Sequence, residues 1–326
     1  MVRIFLKTIT FYNLVQEHIR LVEERMRAQS DGHHPELGKA LNYLLSSGGK
    51  RIRPAVALLA GGMVGADMDR LVTLAAAIEL LHTATLVHDD LIDGALLRRG
   101  IPTLNAQWSP AATILTGDYI FARAAQLAAE TDSVEVMHLF AETLATIVNG
   151  EITQLFGSRY DARRQEYFAR IYAKTASMFV LATTSAAILG NTSERIKDIL
   201  HSFGYEIGMA FQIVDDILDF VGEQSEVGKP VANDLRQGLI TLPTIHYLEL
   251  HPDDPDAALL LGKNAFDEAR LRRLVSAILD SGAIQKAMEE AEQFVNRGLG
   301  ALAELPETSE RLALEELARY IVHRNL

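Results

Sequence analysis

The sequence predicts an all-α protein, one large helical domain over residues 1–326, and three observations carry that reading. Apolar residues recur at helical spacing along most of the chain, with no sustained strand-like alternation. Only nine prolines occur, while Ala, Leu, Glu and Arg are prominent, a composition that favours helix. No linker divides the 326 residues, and a hydrophobic share of 48% supplies a substantial core.

The elements follow in order. Leu14, Val15, Ile19, Val22 and Met26 mark an opening amphipathic helix. After Gly48-Gly49, Pro54 suits the first turn of a helix predicted over Ala55–Gly62. A second apolar helix is predicted over Asp69–Asp93. The segment from Arg98 to Thr103 reads as a loop, because Gly100 and Pro102 fall so close together. Helices are then predicted over Ser109–Thr131, Ser133–Phe156, Arg163–Leu189 and Thr192–Val221, followed by a Gly-rich flap over Gly222–Gly238. Three amphipathic helices close the chain, over Asp267–Leu279, Ala283–Leu302 and Thr308–Val322. The long uncharged stretch Thr175–Ser193 approaches the length of a membrane span. Its hydroxyls and Gly190 make it a buried core helix instead, and no transmembrane segment is expected.

Composition excludes several kinds of function. A formal net charge of -12 argues against general nucleic-acid binding. The absence of cysteine rules out disulfides, thiolate metal sites and a cysteine nucleophile, and fits a reducing compartment. Residues 1–20 show no signal-peptide pattern, so a cytoplasmic protein is expected.

The chemistry is concentrated in a repeated acidic cluster. Asp89-Asp90-Leu91-Ile92-Asp93 returns as Asp215-Asp216-Ile217-Leu218-Asp219, each within an apolar, helix-like stretch. First and last carboxylates are four residues apart, on one helix face and one turn from each other. Carboxylates crowded between apolar flanks demand a cation, and hard, oxygen-seeking Mg²⁺ completed by waters and phosphates suits them. Two such clusters on facing helices would cage a polyphosphate. Basic residues gather to match: Gly48-Gly49-Lys50-Arg51-Ile52-Arg53-Pro54 offers a supple backbone and three cations, Arg98-Arg99 follows the first cluster, and Lys174 opens the uncharged stretch. His82 lies two turns before Asp89, Gln212 just before the second cluster and Lys229 in the flap. Taken singly, each would be an ordinary surface or core residue.

Together these motifs, with Gly117-Asp118, Lys174-Thr175, Phe211-Gln212, Gly228-Lys229-Pro230 and Asp234-Leu235 in the same order, resemble the trans-isoprenyl diphosphate synthases, the polyprenyl synthetase family. The resemblance covers roughly Gly48 to Pro243. It implies a helical bundle of the isoprenoid synthase type with a central active-site cavity. There an allylic diphosphate is ionised, isopentenyl diphosphate attacks the cation, and a proton is lost.

By that resemblance, Asp89, Asp93 and Asp215 bind a trinuclear Mg²⁺ cluster, with Asp90, Asp216 and Asp219 as support. Lys50, Arg53, His82 and Arg99 grip isopentenyl diphosphate, while Arg98, Lys174 and Lys229 hold the allylic diphosphate. Thr175 and Gln212 set oxygen dipoles near the carbocation, and the departing diphosphate takes the proton. One turn before Asp89, Ala84 and Thr85 are small where short-chain relatives often carry an aromatic stop, which implies a long-chain product of roughly C30 to C50. The tunnel floor could otherwise lie on a helix such as Thr116–Leu127.

A homodimer is expected, from the resemblance and because several helices look apolar on more than one face. A long isoprenoid product would favour release near a membrane, with peripheral contact there. Leu239 departs from the family pattern, where a lysine commonly follows the glycine. Alternatives are a shorter-chain synthase of about C15 to C20, the catalytic subunit of a two-component synthase, and a non-catalytic partner subunit. A class I terpene cyclase is the enzymatic rival. It typically replaces the second Asp cluster and lacks a basic second-substrate pocket.

Overall fold

The computed structural model of the chain describes residues 10–31, 33–46, 48–98, 100–157, 162–221, 231–257 and 268–324. The described chain is all-α, as expected. Its first helices are α1 (Gln16–Arg27), α2 (Pro35–Ser46), α3 (Ile52–Met63) and α4 (Met68–Ile92). A two-residue hairpin, β1 (Leu97–Arg98) antiparallel to β2 (Ile101–Pro102), leads to α5 (Leu104–Gln107), α6 (Pro110–Ala129) and α7 (Val134–Phe156). Then come α8 (Arg164–Ile171), a π-helical turn (Tyr172–Ala176) and α9 (Ser177–Leu189). The rest is α10 (Glu194–Val221), α11 (Asn233–Arg236), α12 (Leu242–Leu250), α13 (Glu268–Asp280), α14 (Ala283–Leu302) and α15 (Ser309–His323).

Most differences from the sequence reading sit at helix ends. Helix α3 begins at Ile52, three residues ahead of the expected start, so Arg53 and Pro54 both lie in its first turn. Neither α2 nor α12 was foreseen. The loop at Arg98–Thr103 contains the hairpin, with Gly100 at φ 75° making its turn. The expected helix Arg163–Leu189 is interrupted by the π turn.

The chain divides into two compact units, one drawn from Met1–Leu144, Met178–Gly204 and Leu299–Ala318, the other from Ala145–Ser177, Tyr205–Gly298 and Arg319–Leu326. In the first unit α4 is the hub, packing against α1, α3 and α6. Ala75, Ala76, Ala77 and Ala84 have no exposed surface, small side chains that let neighbouring backbones come close. Two glycines make the same allowance: a β-carbon on Gly61 would collide with Leu71, and one on Gly117 with the His88 imidazole.

In the second unit, α8, α12 and α14 are tied by a partly buried ionic cluster. Arg164 NH2 donates to both oxygens of Glu290 at 2.5 and 2.6 Å, and His246 Nε2 lies 3.1 Å from Glu290 Oε2. Two helices, Met68–Ile92 and Arg164–Leu189, are long and apolar enough to cross a membrane, but 83% of each apolar window is buried within the protein. They serve as core helices.

Burial opposes the charge of Glu290, but His246 and Arg164 outweigh it and hold the carboxyl below its ordinary value of 4.5. A carboxyl whose pKa is depressed on folding stabilises the fold fully above its unfolded value and loses that contribution as pH falls through the folded one. Glu290→Gln is therefore expected to lower unfolding free energy by about 1–2 kcal/mol at pH 7, the deficit shrinking below pH 4.5. Denaturant titrations at several pH values check this, and a pH-independent deficit would refute it.

Candidate active site

In the first unit the acidic cluster sits where α4 stops. Ala95 N–H bonds to Asp90 O at 2.8 Å and Gly94 N–H to Leu91 O at 3.2 Å, with Gly94 at φ 63°. This is a Schellman stop, which puts Asp93 at the C-cap and Asp89 one turn earlier. Both carboxylates thus stand at the negative end of a helix, an unfavourable place for an anion. Asp89 is half-buried and Asp93 exposed, whereas Asp90 is buried. The charge of Asp90 is met by Arg98, whose Nε donates at 2.9 and 3.1 Å and whose NH2 lies 2.9 Å away. His82 is half-buried two turns before Asp89, and Ala84 and Thr85 are buried between them.

The cationic loop meets the opposite helix end. Lys50 is exposed and Arg53 half-buried, with the Arg53 guanidinium 5.2 Å from the Phe179 ring. Together with the positive end of the α3 dipole they favour an anion. Arg51, the third cation of the loop, takes a different course. Its side chain turns inward to Glu23 (Nε to Oε1, 3.0 Å), Glu79 (NH1 to Oε1, 3.0 Å) and Leu45 O (3.2 Å).

In the second unit the cluster repeats the same division on α10. Asp215 and Asp219 are half-buried, while Asp216 is buried. Burial, with the charge of Asp234 adding to it, pushes the Asp216 carboxyl up to about 8 against the pull of its hydrogen bonds. Those bonds form a chain: Thr175 Oγ1 donates to Gln212 Oε1 (2.6 Å), Gln212 Nε2 to Asp216 Oδ1 (2.8 Å), and the buried Tyr167 hydroxyl to Asp216 Oδ2 (2.7 Å). Arg324 NH2 donates to Asp215 Oδ1 at 2.6 Å and stacks over Phe211 at 3.8 Å. Asp219 Oδ2 accepts from Asp234 N at 3.0 Å. Lys174, within the π turn that also carries Thr175, donates to Glu151 Oε1 at 3.0 Å. Such turns insert one extra residue per helical turn and frequently mark functional positions.

Arg99 and Lys229 lie outside the described residues. Glu23, Glu79, Glu151, Tyr167 and Arg324 carry polar contacts that sequence reasoning missed. No local pattern announces them, since their partners are 23 to 109 residues away.

The donor set fits a hard divalent ion: oxygen ligands only, paired one turn apart. Among the described residues no group of three or more His, Cys, Asp or Glu side chains converges to hold a metal on its own. Bound Mg²⁺ usually completes its shell with waters and substrate phosphates.

Comparison with known proteins agrees with this chemistry. The family model described as Polyprenyl synthetase matches residues 34–278, and the chain belongs to that family of prenyltransferases. It is 36% identical to heptaprenyl diphosphate synthase component 2 of Geobacillus stearothermophilus over 98% of this chain and 100% of that one. It is also 36% identical to octaprenyl diphosphate synthase of Escherichia coli (strain K12), over 87% of this chain and 88% of the relative. Among solved structures, a polyprenyl synthase from Caulobacter crescentus CB15, complexed with calcium and isoprenyl diphosphate, superposes with a TM-score of 0.90. That pair shares 32% identity, over 97% of each chain. The fold is thus the all-helical isoprenoid synthase fold.

If Tyr167 serves to hold Asp216, Tyr167→Phe leaves a buried carboxyl oxygen without that donor. Unfolding free energy should then fall by about 1–3 kcal/mol. Denaturant unfolding of the two proteins reads this directly, and indistinguishable midpoints would remove Tyr167 from the network.

Proposed function

We propose that this protein condenses isopentenyl diphosphate head-to-tail with an allylic diphosphate, in successive additions, to a long all-trans-polyprenyl diphosphate. The observation that carries the reading is the division of labour repeated in both clusters. The middle residue is buried and held by protein groups, while the first and last keep exposed surface. Asp215 and Asp219 do so even with Arg324 and the Asp234 N–H as partners. The heptaprenyl and octaprenyl names of the relatives support a long product. The relatives and solved structures that span nearly the whole chain favour one catalytic domain over residues 1–326.

In this reading Asp89, Asp93 and Asp215 hold Mg²⁺, three ions by family resemblance, with Asp90, Asp216 and Asp219 in support. The metal, when bound, neutralises the growing charge of the departing diphosphate. Arg98, Lys174 and Lys229 add fixed positive charge to the same leaving group. Lys50, Arg53, His82 and Arg99 hold isopentenyl diphosphate so that its double bond faces the ionised carbon. The proton of Thr175's hydroxyl is committed to Gln212. What that oxygen offers a carbocation is lone-pair density. The product's proton leaves to the diphosphate, which explains why no nucleophilic side chain is required. Val148, Ile152 and Leu155, exposed along one face of α7, support a homodimer, since such an apolar stripe gains by being covered.

Purified protein given radiolabelled isopentenyl diphosphate, farnesyl diphosphate and Mg²⁺ is expected to yield a ladder ending at a long prenyl diphosphate. Chelation should abolish it, and Asp89→Asn or Asp215→Asn should each lower kcat by about a hundredfold or more. No elongation from any allylic primer would overturn the reading in favour of a two-component enzyme.

Thr85→Phe should shorten the product, since Thr85 lies one turn before Asp89 on the same face of α4. Thin-layer or mass analysis of the chain-length distribution tests this, and an unchanged distribution would move the chain-length stop elsewhere.

A further inference from the structure

We propose that Arg51 is a positioning residue for the isopentenyl diphosphate site, its buried ion pair with Glu79 fixing the Lys50–Arg53 loop against the helix that carries His82. The inference rests on the reading of Lys50, Arg53 and His82 as the grip on that diphosphate.

Four observations bear on it. Arg51 has a left-handed backbone (φ 45°, ψ 38°), a conformation that strains a residue with a β-carbon. Its side chain is only 9% exposed and that of Glu79 only 7%, so this cation sits away from solvent between two ligand candidates that reach it. The guanidinium is held at three points from three directions: Glu23 on α1, Glu79 on α4 and the Leu45 carbonyl at the end of α2. Gly49 accommodates this arrangement, because a β-carbon there would lie 2.9 Å from Arg51 NH1. The neighbouring Lys50 carbonyl is itself held by the Tyr12 hydroxyl.

The energetics point away from a purely stabilising role. Measured against well-packed apolar residues of similar size, a buried ion pair often gains little net stability, because desolvation takes up much of the attraction. Here burial works against the charge of Arg51, and Glu79 and Glu23 more than offset it, raising its pKa above the ordinary value. A strained backbone is retained as well. What the pair does supply is geometry. Glu79 and His82 are three residues apart on one face of α4, so Arg51 links the loop's register to the histidine's. A loop displaced by an ångström would weaken the grip on a diphosphate far more than it would unsettle the fold.

The test is a double variant, Arg51→Met/Glu79→Met, which removes the pair and leaves neither charge buried alone. KM for isopentenyl diphosphate is expected to rise about tenfold or more, with KM for the allylic diphosphate and the melting temperature little changed. A folded double variant with unaltered KM for isopentenyl diphosphate would overturn the proposal. Should that variant fail to fold, Arg51→Lys decides the matter. It keeps the buried charge but cannot hold Glu23, Glu79 and Leu45 O together, so the same KM should rise several-fold, and no rise overturns the proposal. Lys50→Ala, measured alongside, separates the two levels. If it leaves that KM unchanged, the site assignment itself fails; if it raises KM while the Arg51 variants do not, only the positioning role fails.

Discussion

Negative charge placed at the negative end of a helix is the constraint from which the rest of this structure follows. Helix α4 ends in a Schellman stop that places Asp89 and Asp93 in its last turn and C-cap. The helix dipole makes that end unfavourable for carboxylates and favourable for cations. An apolar helix with most of its length in the core cannot shed these groups to a distant surface. At α3 the sign is reversed: the positive end of the helix dipole, Lys50 and Arg53 make a helix N-terminus that suits an anion. A substrate that is a polyanion accompanied by divalent cations answers both demands at once, which is why the electrostatics alone narrow the chemistry so far.

The chain treats its charges unequally. In each cluster the middle carboxylate is turned inward and satisfied by the protein: Asp90 by Arg98, Asp216 by Gln212 and Tyr167. That choice has a mechanical consequence. Two outer carboxylates one turn apart can keep their orientation only if the intervening turn is rigid, and an anchored middle residue supplies the rigidity. The same logic extends through Gln212 to Thr175, whose place on the π turn shifts it from the register that an uninterrupted α-helix would have given.

Much of this was legible from residue order. The 3.6-residue period exposed α6, α7, α10 and the last three helices, whose apolar faces contrast with polar ones, while α4 was legible as a long apolar run of helix-forming residues. Helix α2 was missed because it is short and carries Gly38 in its interior; α12 was missed because its nine residues are mostly buried, leaving little contrast between faces. The acidic clusters and their helix-face spacing were visible because four residues make one turn. The π turn was not, since no residue type reports a bond to the fifth residue back. Arg51 shows the limit best. By composition it belongs with Lys50 and Arg53, and only Glu79, 28 residues onward, reveals that it serves the fold's geometry instead.

That distinction between holding and gripping extends to the other cations. Arg98 is paired with Asp90 and Lys174 with Glu151, although the family resemblance assigns both to a diphosphate. A guanidinium has five donors and an ammonium three, so neither is exhausted by one carboxylate. The partner fixes where the remaining donors lie, which reduces the entropy lost when a phosphate arrives. Arg51 is different in kind. Its Nε, NH1 and NH2 are all engaged by protein groups and its side chain is nearly closed to solvent, so little remains for a ligand. A cation half-exposed beside one carboxylate is poised to bind; a cation enclosed by two carboxylates and a carbonyl is part of the frame that aims the others.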